Sequence, residues 1–181
     1  MDEDMKTGFI NGEIVIHSPA FHKHNAAVMF LSKLLNAYVS ERELGIVTVE
    51  KALIELTRNS YEPDICYFGP EKATTTTPHM LYYPAPDLVV VVLSKSTKKN
   101  DQEIKFNDYA AHGAAKYWLV DHNRQTVEVF TLDTATEAYA QLGTFRVGEL
   151  VSSQLLTGFT IPVRAVFESG LNVTALRALL V

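Results

Sequence analysis

Two Pro-Asp pairs each stand at the head of an apolar run: Pro63-Asp64 before ICYF, and Pro86-Asp87 before LVVVVL. A carboxylate at the mouth of a strand is the kind of oxygen ligand that Mg²⁺ and Mn²⁺ favour. It is equally a turn residue whose oxygen bonds the local backbone. Lys105 falls one helical turn after Asp101 and one before Tyr109, so the three share a helix face. A lysine there either pairs with Asp101 or steadies negative charge developing on a phosphate. The segment 94–99, SKSTKK, carries Lys95, Lys98 and Lys99. It lies just ahead of a helix start, a place that favours phosphate. It lacks the glycines of a phosphate-binding loop and reads equally well as a solvated polar turn. Acids on two neighbouring strands with a lysine close by are what metal-dependent phosphodiester cleavage requires.

The remaining reactive side chains form no second set. His24 lies near the inward face of a helix at its N-terminal end, where it either contacts a metal or phosphate or is satisfied by an ordinary hydrogen bond. Cys66 is the only cysteine, so it makes no internal disulfide and is a poor zinc ligand; it reads as a core residue. His17, His22, His79, His112 and His122 have neither metal-ligand spacing nor a nucleophile motif.

The elements that must position these residues follow from periodicity. Asn11-Gly12 is a two-residue hairpin signal, followed by an alternating strand over 13–17. Over 22–40, Ala27, Val28, Leu31, Leu34, Leu35 and Tyr38 recur at helical spacing. Short strands are expected at 46–49 and 53–56. Pro63 opens a strand with Asp64, Cys66 and Phe68 on one face and Ile65 and Tyr67 on the other. Residues 69–84 are rich in Thr and Pro and read as loop. The near-unbroken Val and Leu run 88–93 predicts a strand buried on both faces, central in a sheet flanked by helices.

Asn100 and Glu103 have capping-box spacing for a helix that ends before Gly113. Strands follow at 115–121, 126–132, 138–142 and 158–163, then weak helical signals. The class is α/β or α+β, with a mixed central sheet flanked by helices, in one domain over 1–181.

The composition is that of a globular protein: 181 residues, 47% hydrophobic and 20% charged. No apolar run approaches the ~20 residues of a spanning helix, and the acidic start MDEDMKTGF is unlike a secretory signal, so a cytoplasmic location is expected. A net charge of −5 argues against a strong nonspecific grip on nucleic acid but leaves room for a locally basic groove.

Taken together, INGEIVIHSPAFHKHN, EPDICYF, PDLVVVVLSKST, KFNDYAAHGAAKYWLVD and GTFRVGELVSSQLLTGFTIPVRAVF resemble the Uma-type putative restriction endonuclease family, a bacterial branch of the PD-(D/E)xK nucleases. The resemblance covers most of the chain. It implies a restriction endonuclease-like core, with the site where two central strands diverge, Mg²⁺ or Mn²⁺ as cofactor and DNA as partner. It assigns Asp64 as the first metal-binding carboxylate and Lys105 as the catalytic lysine, arriving from the following helix. The second acid of the pattern is a glutamate that falls on Val91. Glu55, Asp101 and Glu103 are the acids that could take its place, and without one the protein would be a nuclease-fold binding or regulatory module. By analogy with enzymes that cut two strands, a homodimer is expected.

Overall fold

The computed structural model describes residues 7–10, 12–16, 20–50, 52–94 and 98–181. The chain opens with strands β1 (Thr7–Ile10) and β2 (Glu13–Ile16), an antiparallel hairpin about Gly12, as the Asn-Gly signal predicts. Helix α1 (His22–Glu41) follows and buries the expected stripe, from Ala27 and Val28 through Leu31, Leu34 and Leu35 to Tyr38. Then come β3 (Ile46–Val49), β4 (Leu53–Glu55), β5 (Ser60–Tyr61) and β6 (Ile65–Phe68).

The stretch 69–84 is not all loop. It holds a short helix α2 (Pro70–Ala73), with proline at its first position, and a two-residue strand β7 (Tyr82–Tyr83). A strand that short has no periodicity to read; pairing with β4 in parallel defines it. Strand β8 (Leu88–Val92) is buried at every position.

Next the chain forms α3 (Lys98–Gln102) and α4 (Ile104–Ala111), where a single helix capped by Asn100 was expected. Asn100 lies inside α3, and the backbone leaves helical geometry at Glu103 (φ −122°, ψ −70°). The buried Tyr117 hydroxyl donates to the Asp101 carbonyl at 2.9 Å, and in an unbroken helix that carbonyl would accept from the Lys105 N–H. Gly113, at φ +77°, ends α4 as predicted. Strands β9 (Lys116–Asp121), β10 (Thr126–Asp133), β11 (Ala138–Arg146), β12 (Leu150–Ser152) and β13 (Thr160–Pro162) lead to a 3-10 turn and helix α5 (Ser169–Leu179).

A six-stranded sheet runs in the order β11-β10-β9-β8-β6-β3. Only β8 and β9 are parallel in it, so the sheet is mixed, with β8 inside it as its apolar run requires. Strand alternation gives the sheet two apolar faces. Ile65, Tyr67, Leu88, Val90, Val92 and Trp118 pack with Leu31, Leu34 and Leu35 of α1 and with Ala175 and Leu179 of α5. Cys66, Phe68, Val89, Val91 and Leu93 pack with Tyr109 of α4 and with Ile54 and Tyr61 from a second sheet, ordered β2-β1-β5-β4-β7. The split of Cys66 and Phe68 from Ile65 and Tyr67 is the one read from the sequence. Among the described residues, no helix is long and apolar enough to cross a membrane.

Candidate functional site

Strands β6 and β8 pair antiparallel through Ile65↔Val90, and one more step of that register sets Asp64 opposite Val91. The ladder ends there. The Val92 N–H donates to the Asp64 carboxylate, Oδ2, at 2.7 Å, instead of continuing along the main chain of β6. His24, at the N-terminal end of α1, brings Nε2 within 2.9 Å of the Val92 carbonyl and 3.7 Å of Asp64 Oδ1. A carbonyl only accepts, so the proton of this ring sits on Nε2. His24, Asp64 and the Val92 peptide thus close a ring of polar contacts, with both side chains over nine-tenths buried.

Val91 is 4% exposed and sits in the apolar cluster of Cys66, Tyr109 and Tyr117. Its isopropyl group fills the volume and offers no ligand. Burial, and next the charge of Asp64, push the Cys66 thiol up, so it stays protonated and inert.

Lys105 lies on the same side of the sheet. Its Nζ pairs with Asp101 Oδ1 at 2.7 Å and stands 5.8 Å from the centre of the Tyr61 ring. The expected i,i+4 pair therefore exists, but it is buried: Lys105 is 6% exposed and Asp101 1%. Tyr61 is itself held, its hydroxyl donating to Asp108 Oδ2, which also accepts from Asn59 Nδ2 at 2.5 Å. Burial, then the charges of Asp101, Tyr139 and Asp64, push the Tyr117 hydroxyl far up. Asp64 and Asp101 thus both act on one buried phenol.

The other expected acids lie apart. Asp87 Oδ2 accepts from the Gly69 N–H at 2.7 Å and Oδ1 pairs with Lys72 at 2.7 Å, the local structural role open to a Pro-Asp pair. Glu55 and Glu103 are exposed. Of the basic turn, Lys95 lies outside the described residues, Lys98 begins α3, and Lys99 is exposed on it.

His122, just past β9, carries no signal in the sequence beyond following a strand that pairs with β8. Its ring meets that of His24 edge to face, centres 6.0 Å apart. Burial first, and then the neighbouring His24, hold its pKa below the ordinary 6.5.

A family model described as "Putative restriction endonuclease", Uma2, matches residues 1–164 of this chain. The chain belongs to the Uma2 family. It is also similar to the protein sll1609 of Synechocystis, 30% identical over 125 residues, which cover 68% of this chain and 70% of that one. Its fold matches the crystal structure of a putative nuclease belonging to DUF820 from Anabaena variabilis, with a TM-score of 0.76 and 18% identity over 89% of both chains. The resemblance drawn from the motifs and the mixed-sheet class hold.

An all-oxygen Mg²⁺ or Mn²⁺ centre of the kind expected for Uma2 does not fit the residues present. It needs carboxylates converging from two strands. Here one Asp64 oxygen is bound by a backbone N–H, and the position that the extended register sets opposite it is a valine. Among the described residues, no group of three or more His, Cys, Asp and Glu is arranged to hold a metal ion.

Proposed function

We propose that this Uma2 protein is a nuclease-type scaffold directed at DNA, of the PD-(D/E)xK lineage, that binds its target without efficient metal-dependent hydrolysis. Membership in a family described as restriction endonucleases and the fold of a nuclease support the nuclease type and DNA as the target. One observation carries the loss of hydrolysis: the β6–β8 register, carried one step past Ile65↔Val90, sets Asp64 opposite Val91, a hydrocarbon where the second acid is expected. Asp64 is the retained acid and Lys105 the retained cation. Lys98 and Lys99, at the start of α3, meet the DNA backbone, together with Lys95 on the strength of its charge in the sequence.

Asp101 favours a second reading, an active Mg²⁺- or Mn²⁺-dependent endonuclease in which this acid replaces the missing glutamate. It is almost fully buried, its Oδ2 lacks a hydrogen-bond partner among the described residues, and it shares the influence on Tyr117 with Asp64. Against it, Asp101 Oδ1 is already neutralised by Lys105.

Plasmid nicking with Mg²⁺ or Mn²⁺ separates the two. The first reading expects no nicking by the chain itself and measurable nicking by Val91→Glu, with DNA retained by both in a gel-shift assay. Nicking by the unaltered chain that disappears in both Asp64→Ala and Asp101→Asn would establish the second. A chain that neither binds nor cuts DNA overturns both.

A further inference from the structure

We infer that His24 and His122 form a two-histidine site for a borderline transition-metal ion of the Zn²⁺ or Co²⁺ class, with Asp64 behind it as an outer-sphere carboxylate. This site is distinct from the all-oxygen centre that the residues fail to make, and it depends on neither DNA binding nor hydrolysis.

The two rings are prepared alike. His24 donates from Nε2 to the Val92 carbonyl, which leaves Nδ1 as the lone-pair nitrogen, buried and without a hydrogen-bond partner among the described residues. His122 Nδ1 is likewise buried and unpartnered, so its backbone hydrogen bond to Leu93 falls to Nε2. Successive residues at the end of β8 therefore fix both histidines in the tautomer that presents Nδ1. Both residues are more than nine-tenths buried, at 7% and 8% exposure.

An orphaned imidazole nitrogen is costly to bury, and here two of them belong to neighbouring rings. A metal-bound histidine normally gives its other N–H to a carbonyl or carboxylate, which fixes the ring and raises its basicity. His24 Nε2 gives its N–H to the Val92 carbonyl at 2.9 Å, with Asp64 Oδ1 3.7 Å away.

The spacing suits one ion. A Zn–N bond near 2.1 Å puts a ring centre about 3.2 Å from the metal, so two rings on one ion lie up to about 6.4 Å apart. The observed separation is 6.0 Å, edge to face. Tetrahedral ligation sets the ring centres about 5.2 Å apart, so it needs them to approach by about 0.8 Å.

Nitrogen ligands select Zn²⁺, Co²⁺ or Ni²⁺ over Mg²⁺. Imidazole binds such an ion only in its neutral form. Lys23 opposes a cation here, whereas Asp121 and Asp64 favour one. Two protein ligands leave coordination positions for water or a phosphate oxygen.

The test is isothermal titration calorimetry of the chelator-treated full chain with ZnCl₂, with MgCl₂ as control, alongside the visible spectrum with CoCl₂. The expected result is one Zn²⁺ per chain, no heat from Mg²⁺, and a Co²⁺ band typical of nitrogen ligation. His122→Ala should weaken Zn²⁺ binding by at least about tenfold, and Asp64→Asn, acting from the outer shell, by about tenfold. His79→Ala, an exposed histidine, should change nothing. Should His122→Ala fail to fold, loss of the two Nδ1 signals from ¹⁵N NMR of the unaltered chain on adding Co²⁺ serves instead. No Zn²⁺ binding, binding unchanged by His122→Ala, or binding lost with His79→Ala overturns the inference.

Discussion

The register of β6 and β8, carried one step past Ile65↔Val90, sets Asp64 opposite Val91, and the Val92 N–H holds Asp64 Oδ2 at 2.7 Å. The backbone N–H satisfies one oxygen of that carboxylate. The valine costs the fold nothing, since the surrounding cluster of Cys66, Tyr109 and Tyr117 is apolar. Folding and chemistry therefore make opposite demands at position 91, and this chain meets the demand of folding.

Removal of the Asp64 carboxylate should be felt first in stability. Asp64→Ala leaves the Val92 N–H buried without its acceptor, a loss of about 1–3 kcal/mol. Asp64→Asn keeps an acceptor oxygen and should lose less. Urea midpoints of the two variants decide it; equal losses would mean that the bond to Val92 contributes little.

The Lys105–Asp101 pair is buried, so breaking it should cost more than a surface pair would. Lys105→Met strands Asp101, which is 1% exposed, and should destabilise by about 3–5 kcal/mol. Lys105→Met with Asp101→Leu should recover much of that loss. A double-mutant cycle measures the coupling, and strict additivity would show that the pair is not a unit.

His122 makes stability sensitive to acid. Its folded pKa lies below the 6.5 of the free side chain, because burial and then His24 disfavour the charged ring. The unfolded chain thus binds more protons between the two values, and stability rises with pH through that window. Below the folded pKa the full penalty applies. Chemical unfolding at about pH 5 and about pH 7.5 should show a gap that narrows in His122→Asn.

Gly45 should tolerate no side chain. It sits at φ +122°, and a Cβ there would lie 2.1 Å from the Phe68 carbonyl oxygen, on the strand that pairs with β3. Gly45→Ala should cost at least about 2 kcal/mol, read as a lowered Tm. Gly113→Ala has a strained φ but nothing within 4 Å, so its loss should be smaller.

Much of this arrangement is legible in the chain. The Val run of β8 is buried at every position because only an inner strand covered on both faces has no use for polar side chains. The alternation after Pro63 sorts Cys66 from Ile65 onto opposite faces, since strand geometry allows nothing else. The stripe of α1 and the stop at Gly113 are equally local. The break at Glu103 is not local: a hydroxyl on β9 takes the carbonyl that the helix would have used. The strand β7 likewise exists only because β4 lies beside it.

The sequence by itself determined the family, the strands that carry Asp64 and Val91, and the absence of an acid at position 91. Those are matters of residue identity and short-range periodicity. Only the tertiary structure decided that Lys105 is buried against Asp101, that Asp87 is bound to Lys72 and the Gly69 N–H, and that His24 and His122 meet beside Asp64. Each joins residues from separate elements or depends on how elements cover one another. Such contacts are set by how helices and sheet pack, a relation no window of sequence contains. The missing acid could be read from the chain; the two imidazoles beside its place could not.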